Sequence, residues 1–159
     1  MDKIKSLLLP LALVFAAIAV FEFGARYGAT NMRAYAIASE LQFPLSIYEQ
    51  AETNMNALSK ENFGSLIDNG IAAGCMHRQI WYLNKDARAT LDQVLARALA
   101  LRGDAALARF NSLDSDESIA NKETLATIRE AVIAAQGELI QASTNSSENT
   151  VLTPEVDAQ

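Results

Sequence analysis

Apolar residues follow two patterns along this chain. Residues 7–21 form an unbroken apolar block, Leu7-Leu8-Leu9-Pro10-Leu11-Ala12-Leu13-Val14-Phe15-Ala16-Ala17-Ile18-Ala19-Val20-Phe21, preceded by Lys3 and Lys5. Beyond it, apolar positions recur at helical spacing and alternate with polar ones. The first pattern is that of a helix apolar all round, and the second that of helices with one buried face.

A strict run of 15 residues is short for a hydrocarbon core about 30 Å thick, which takes roughly 20 helical residues. Residues 4–23 supply 20 if Lys5 extends to the headgroups and Glu22 lies at the far interface. The expectation is a retained membrane anchor over residues 1–25. Ala17-Ile18-Ala19 also fits a signal-peptide cleavage site, which gives the alternative of a cleaved, soluble exported protein. The apolar run continues past that site through Val20, Phe21 and Phe23, and this favours retention. Lys3 and Lys5 flank one side, and Arg26 and Arg33 the other. The lysines are closer to the block, so the expected topology has a cytoplasmic amino terminus. In a bacterium the anchor would lie in the inner membrane and the bulk in the periplasm.

Phe23, Tyr27, Thr30, Ala34, Ile37 and Leu41 carry a helical seam onward from the block, and Phe43-Pro44 predicts its end. A short helix is expected over 45–58, with Tyr48, Ala51, Met55 and Leu58 on one face. Ser59 is read as the cap of a helix over 60–84 carrying Phe63, Ile67, Ile71 and Trp81. Asp86 caps the next, over 87–102, with Leu91, Val94, Leu95, Ala98 and Leu101 inward, and Gly103 is its expected stop. A brief helix carries Ala105, Leu107 and Phe110. The last long helix, over 121–142, has the stripe Leu125, Ile128, Val132, Ala135 and Leu139. Residues 143–159 contain no Lys or Arg and are rich in Ser, Thr, Asn and acids, the composition of a disordered tail. The predicted fold is all-α: one transmembrane helix continuing into an up-down bundle of about four helices over 26–142.

Charge and cysteine content narrow the function classes. After Arg33 the chain has 9 Lys/Arg against 17 Asp/Glu, which argues against nucleic acid as a partner. One cysteine, Cys75, excludes an intramolecular disulfide and any multi-cysteine metal site. Cys75 and His77 stand two apart on a helix and diverge, so they cannot chelate from one face. No further ligand pattern accompanies them, and no metal or cofactor is expected. Asp114, Asp116 and Ser118 imitate a calcium loop, but Ile119 takes the glycine position and Leu125 that of the bidentate glutamate. Arg102-Gly103-Asp104 spells an adhesion tripeptide that a helix stop and cap explain equally. Asn145-Ser146-Ser147 is a glycosylation sequon with meaning only in a glycosylating host.

Two glycine pairs stand out. Gly24 and Gly28 have the G-x-x-x-G spacing at the edge of the membrane segment, where it allows helix association. Gly70 and Gly74 repeat it within a soluble helix, where each glycine costs up to about 1 kcal/mol relative to alanine. On a continuous helix His77 and Trp81 share their face, with Arg78 adjacent. That face is either a close helix crossing or a small ligand pocket.

No motif brings a nucleophile, a base and an orienting group together, so no catalytic residue is assigned. The leading expectation is a membrane-anchored interaction protein: a scaffold, assembly factor or accessory subunit contacting other envelope proteins or itself. The alternative is a helical sensor or small-ligand-binding bundle with its pocket near His77 and Trp81.

Overall fold

The computed structural model describes residues 2–50, 56–113 and 119–150. Five helical segments follow one another: α1 (Asp2–Gln50), α2 (Ala57–Arg78), α3 (Lys85–Ser112), α4 (Ile119–Ala135) and α5 (Gln141–Thr150). A single π-helical turn, Gln136–Ile140, joins α4 to α5 without a break, so the segments make four helices. The fold is an all-α, up-down bundle, as the spacing predicts, and no strand occurs among the described residues. Contacts fix the directions. The beginning of the bundle part of α1 meets the end of α2 through Thr30 and His77, while Tyr48 near the end of α1 meets Lys60 at the start of α2.

The first helix has two halves. Residues 10–29 are all exposed, including Leu13, Val14, Phe15, Ile18, Val20 and Phe21, the last at 75%. From Asn31 onward the same helix lies in the core, burying Ala34, Ile37, Ala38, Leu41, Leu45 and Tyr48. The stretch from Pro10 is long and apolar enough to cross a membrane. At 1.5 Å per residue, α1 is about 73 Å long, more than twice the depth of a bilayer's hydrocarbon core.

The helix does not end at Phe43-Pro44. Pro44 is buried inside α1, which runs on to Gln50. Proline there removes one backbone hydrogen bond and crowds the Glu40 carbonyl. The offsetting gain is packing: Leu41, Leu45 and Tyr48 continue the seam and are all buried. Burying two leucines and a tyrosine is worth several kcal/mol, more than the roughly 3 kcal/mol that proline costs.

Other helix boundaries also move. Asn56, rather than Ser59, caps α2, its side chain accepting from the Ser59 N–H at 2.8 Å. Asn84 caps α3 by accepting from the Ala87 N–H at 2.7 Å, which leaves Asp86 in the first turn. No glycine adopts a positive φ, and α3 passes through Gly103 and Asp104 to Ser112. Gly103 is needed for proximity: a Cβ there would collide with the Gln136 side chain of the π turn. The adhesion tripeptide is therefore a stretch of helix. The chain stays helical to Thr150, eight residues into the polar segment, and 151–159 lie outside the described residues, as do Ala51, Met55, Asp114, Asp116 and Ser118.

The core is one continuous cluster. Ile67, Ile71 and Cys75 of α2 meet Leu91, Leu95, Ala98 and Leu99 of α3, while Val132, Ala135 and Leu139 close the fourth side. Leu101, expected inward, is exposed, and Leu99 takes its place.

Candidate functional site

The face formed by Gly70, Gly74, His77, Arg78 and Trp81 is split by the structure. Gly70 admits the Leu41 side chain of α1, with Leu41 Cδ1 2.7 Å from where a Cβ would sit. Gly74 admits Leu95 of α3 in the same way, its Cδ2 also at 2.7 Å. The two glycines thus bring α2 against two different helices, and leucine side chains fill the space they leave. His77 Nε2 lies 2.8 Å from the Thr30 carbonyl oxygen, which ties α2 to α1. With a carbonyl opposite, Nε2 carries the proton and donates.

Trp81 is not on that face. α2 ends at Arg78, because the chain turns there through the bonds Gln79 N–H to Met76 O and Ile80 N–H to His77 O. Helical phase is lost at the turn, and Trp81 ends 82% exposed with its ring edge-on to Tyr82 at 5.3 Å. Gly24 and Gly28 have open space around them, with no atom within 4 Å of an added Cβ.

Arg78 holds three helices together. Its Nε donates to Asp92 Oδ1 and its Nη1 to Glu138 Oε2, each at 2.8 Å. Burial pulls the guanidinium pKa down, and the bonds to the two carboxylates outweigh it, so the charge is secured. Beside it Cys75, 1% exposed, has its thiol pKa pushed up to about 12 by burial. A thiol held in that form is a small core hydrophobe and a poor nucleophile.

A polar concavity lies at the other end of the bundle. Tyr48, Lys60, Ser65, Asp68, Arg102 and Arg109 line an open cleft of about 560 Å³. Asp68 is the anchor, 1% exposed. Arg102 clasps it in fork geometry, Nε to Oδ1 at 2.8 Å and Nη2 to Oδ2 at 2.9 Å. The third nitrogen, Nη1, donates to the Tyr48 hydroxyl at 3.2 Å, and the guanidinium lies 5.4 Å from the Tyr48 ring centroid. The hydrogen bond to Asp68 raises the Arg102 pKa, outweighing burial. Gly64 makes room for this fork: an added Cβ would stand 2.9 Å from Arg102 Cζ. Arg109 Nη1 is 3.8 Å from Asp68 Oδ2 and donates to the Ser65 carbonyl and Asn69 Oδ1.

One buried carboxylate therefore faces two arginines, with Lys60 at the rim over Tyr48. With Glu61 also on the lining, three cations face two carboxylates, and the cleft has a slight positive excess in an acidic chain. Sequence reading missed it because its key pair, Asp68 and Arg102, stands 34 residues apart on different helices. The available signal was an aspartate in phase with the apolar face of α2, next to Ile67 and one turn from Ile71.

Among the described residues, no three His, Cys, Asp or Glu side chains converge as a metal ion would require. Comparison with known proteins leaves this geometry to stand alone: no protein family, no curated protein and no solved structure matches the chain.

Proposed function

We propose that this is a single-pass, membrane-anchored helical bundle that works by protein contact, as a scaffold, assembly factor or accessory subunit of an envelope complex. The observation that carries the reading is the unbroken first helix. Its exposed apolar half is covered by no other helix among the described residues, Phe23 alone meeting a ring, Tyr82, and its second half forms one wall of the core. A soluble protein rarely leaves so large a contiguous apolar surface in water. The bilayer covers it at no conformational expense, since every interior backbone group of a helix is already bonded.

The continuity of α1 also supports an uncleaved anchor. The helix runs without a break through Ala17-Ile18-Ala19 into the buried seam from Ala34 to Tyr48, which agrees with a retained segment. With Lys3 and Lys5 nearest the apolar block, the amino terminus is cytoplasmic and the bundle lies on the opposite side, the periplasm of a bacterium. The experiment is expression of the full chain, an alkaline carbonate wash of the membranes, and intact-mass measurement of the pellet. Full-length protein in the pellet is expected, and mild detergent should release it together with a second polypeptide or a second copy of the chain, read from the protein mass after the bound detergent is subtracted. A soluble product lacking the first 19 residues, the expectation from cleavage after Ala19, overturns the anchor.

The polar cleft favours a second reading, a ligand-binding bundle. Its site is at Lys60, Arg102 and Arg109, because leucines occupy the face near His77. Thermal stabilisation by a small dicarboxylate or phosphate, lost in Arg109→Ala, tests it.

A further inference from the structure

The turn between α2 and α3 carries a side chain that neither the core nor the cleft uses. Trp81 is the chain's one tryptophan and leaves 82% of its surface uncovered. Its surroundings are aromatic and lie at the root of the apolar stretch. Tyr82, against which Trp81 stands edge-on, approaches Phe23 at 6.4 Å between ring centroids. Phe23 in turn stacks on Tyr27 at 6.3 Å. The Tyr82 hydroxyl faces Thr30 Oγ1 at 3.4 Å, so this ring lies along α1 where the exposed half meets the buried one.

The turn is also held rigidly. Leu83 is buried beneath it, and the Asn84 N–H donates to Asn31 Oδ1 at 2.7 Å. Arg88 reaches back to donate to the carbonyls of Arg78 and Ile80, at 2.8 and 2.9 Å. Trp81 is therefore displayed by a built platform. On α1, Glu22 and Arg26 to either side of Phe23 form an exposed ion pair at 3.2 Å, the first charged residues after the apolar block.

We propose that this turn is a lipid contact, with Trp81 and Tyr82 seating the bundle in the headgroup layer beside the span. The inference rests on the anchor reading above and adds to it a second point of membrane contact. Indole and phenol rings concentrate at that depth because one end is apolar and the other hydrogen-bonds. Continuity decides in favour of lipid over protein: Tyr82 touches Phe23, so whatever covers Trp81 must also lie along the apolar stretch of α1.

The single tryptophan makes the test direct. The full chain is reconstituted into phosphatidylcholine–phosphatidylglycerol vesicles, recovered by flotation, and excited at a tryptophan-selective wavelength. The expected result is emission blue-shifted from that of the unfolded chain. Lipids brominated near the headgroup should quench it several-fold more than lipids brominated at the chain ends, and aqueous iodide should quench it several-fold less than free indole. Floating vesicles with water-like, iodide-accessible emission overturn the lipid contact and leave the anchor intact. Blue-shifted emission that no brominated lipid quenches also overturns it, and assigns the turn to a protein partner. Failure to float removes the anchor, and this inference with it.

Discussion

Two halves of one helix, residues 10–29 and 31–48, are both apolar and have opposite fates. The first half has apolar side chains on every side, and all of them are exposed. The second gathers most of them on one seam, interrupts them with Arg33, Glu40 and Gln42, and buries the seam, leaving Met32, Tyr35 and Phe43 outside it. Composition separates the halves, with two polar residues among 10–29 and six among 31–48, and so does the gathering of the second half's apolar residues on one seam. A seam can be covered by two neighbouring helices; a full cylinder needs a surrounding apolar solvent.

The comparison breaks most visibly if each half is damaged separately. Val14→Arg with Ile18→Arg puts two charges in the exposed half, each costing about 3 kcal/mol at a bilayer centre. The protein should leave carbonate-washed membranes while the bundle's thermal unfolding is unchanged. If it stays in the pellet, that half is not a span. Leu41→Ala acts in reverse. It empties a buried site facing Gly70 and should lower unfolding stability by about 4 kcal/mol while membrane retention persists.

Asp68→Ala comes next, at about 3 kcal/mol by denaturant unfolding, because two arginines lose their carboxylate in a partly closed site. Adding Arg102→Met should restore much of that loss. If it does not, the pair is worth more than its packing.

Cys75 gives a smaller, pH-dependent effect. Its folded pKa of about 12 exceeds the ordinary 9.0, so the folded state holds its proton where the unfolded state has lost it. The stabilisation is complete below pH 9 and is lost as pH rises toward 12. Between pH 9 and about 10.5 the loss amounts to about 2 kcal/mol. Comparing melts of the parent and Cys75→Ala across that range isolates it, and parallel curves would count against the buried thiol.

The smallest effect is expected at Gly24→Ala with Gly28→Ala. Open space surrounds both, so bundle stability should move by less than about 0.5 kcal/mol. Altered crosslinking between chains in the membrane, with stability constant, would identify the pair as a self-association face.

Periodicity made the bundle legible, because burial imposes it. Ile67, Ile71, Leu91, Val94, Leu95, Val132 and Leu139 are all inward as their spacing predicts. Local stop signals misled wherever a distant contact outweighed them. Pro44 is tolerated because Leu45 and Tyr48 have a core to enter, and Gly103 is a point of approach for Gln136 rather than a helix end. The Asp68–Arg102 fork was illegible for a related reason. A charge in phase with a core face announces burial, but its counter-ion can come from any helix that reaches it. Trp81 was misplaced by extrapolating helical phase through the turn that begins after Arg78.

The absence of a joint in α1 gives the bundle a mechanical property. If residues 4–23 cross a bilayer, any mismatch with its thickness is taken up by tilt of that stretch. Here the span and one wall of the bundle are the same rod, so a tilt of one is a tilt of the other. With the α2–α3 turn on one flank of that rod, leaning toward Trp81 presses the bundle onto the bilayer, and leaning away lifts it. In the proposed anchor, membrane thickness thereby sets the attitude at which the bundle's outer surfaces meet their surroundings.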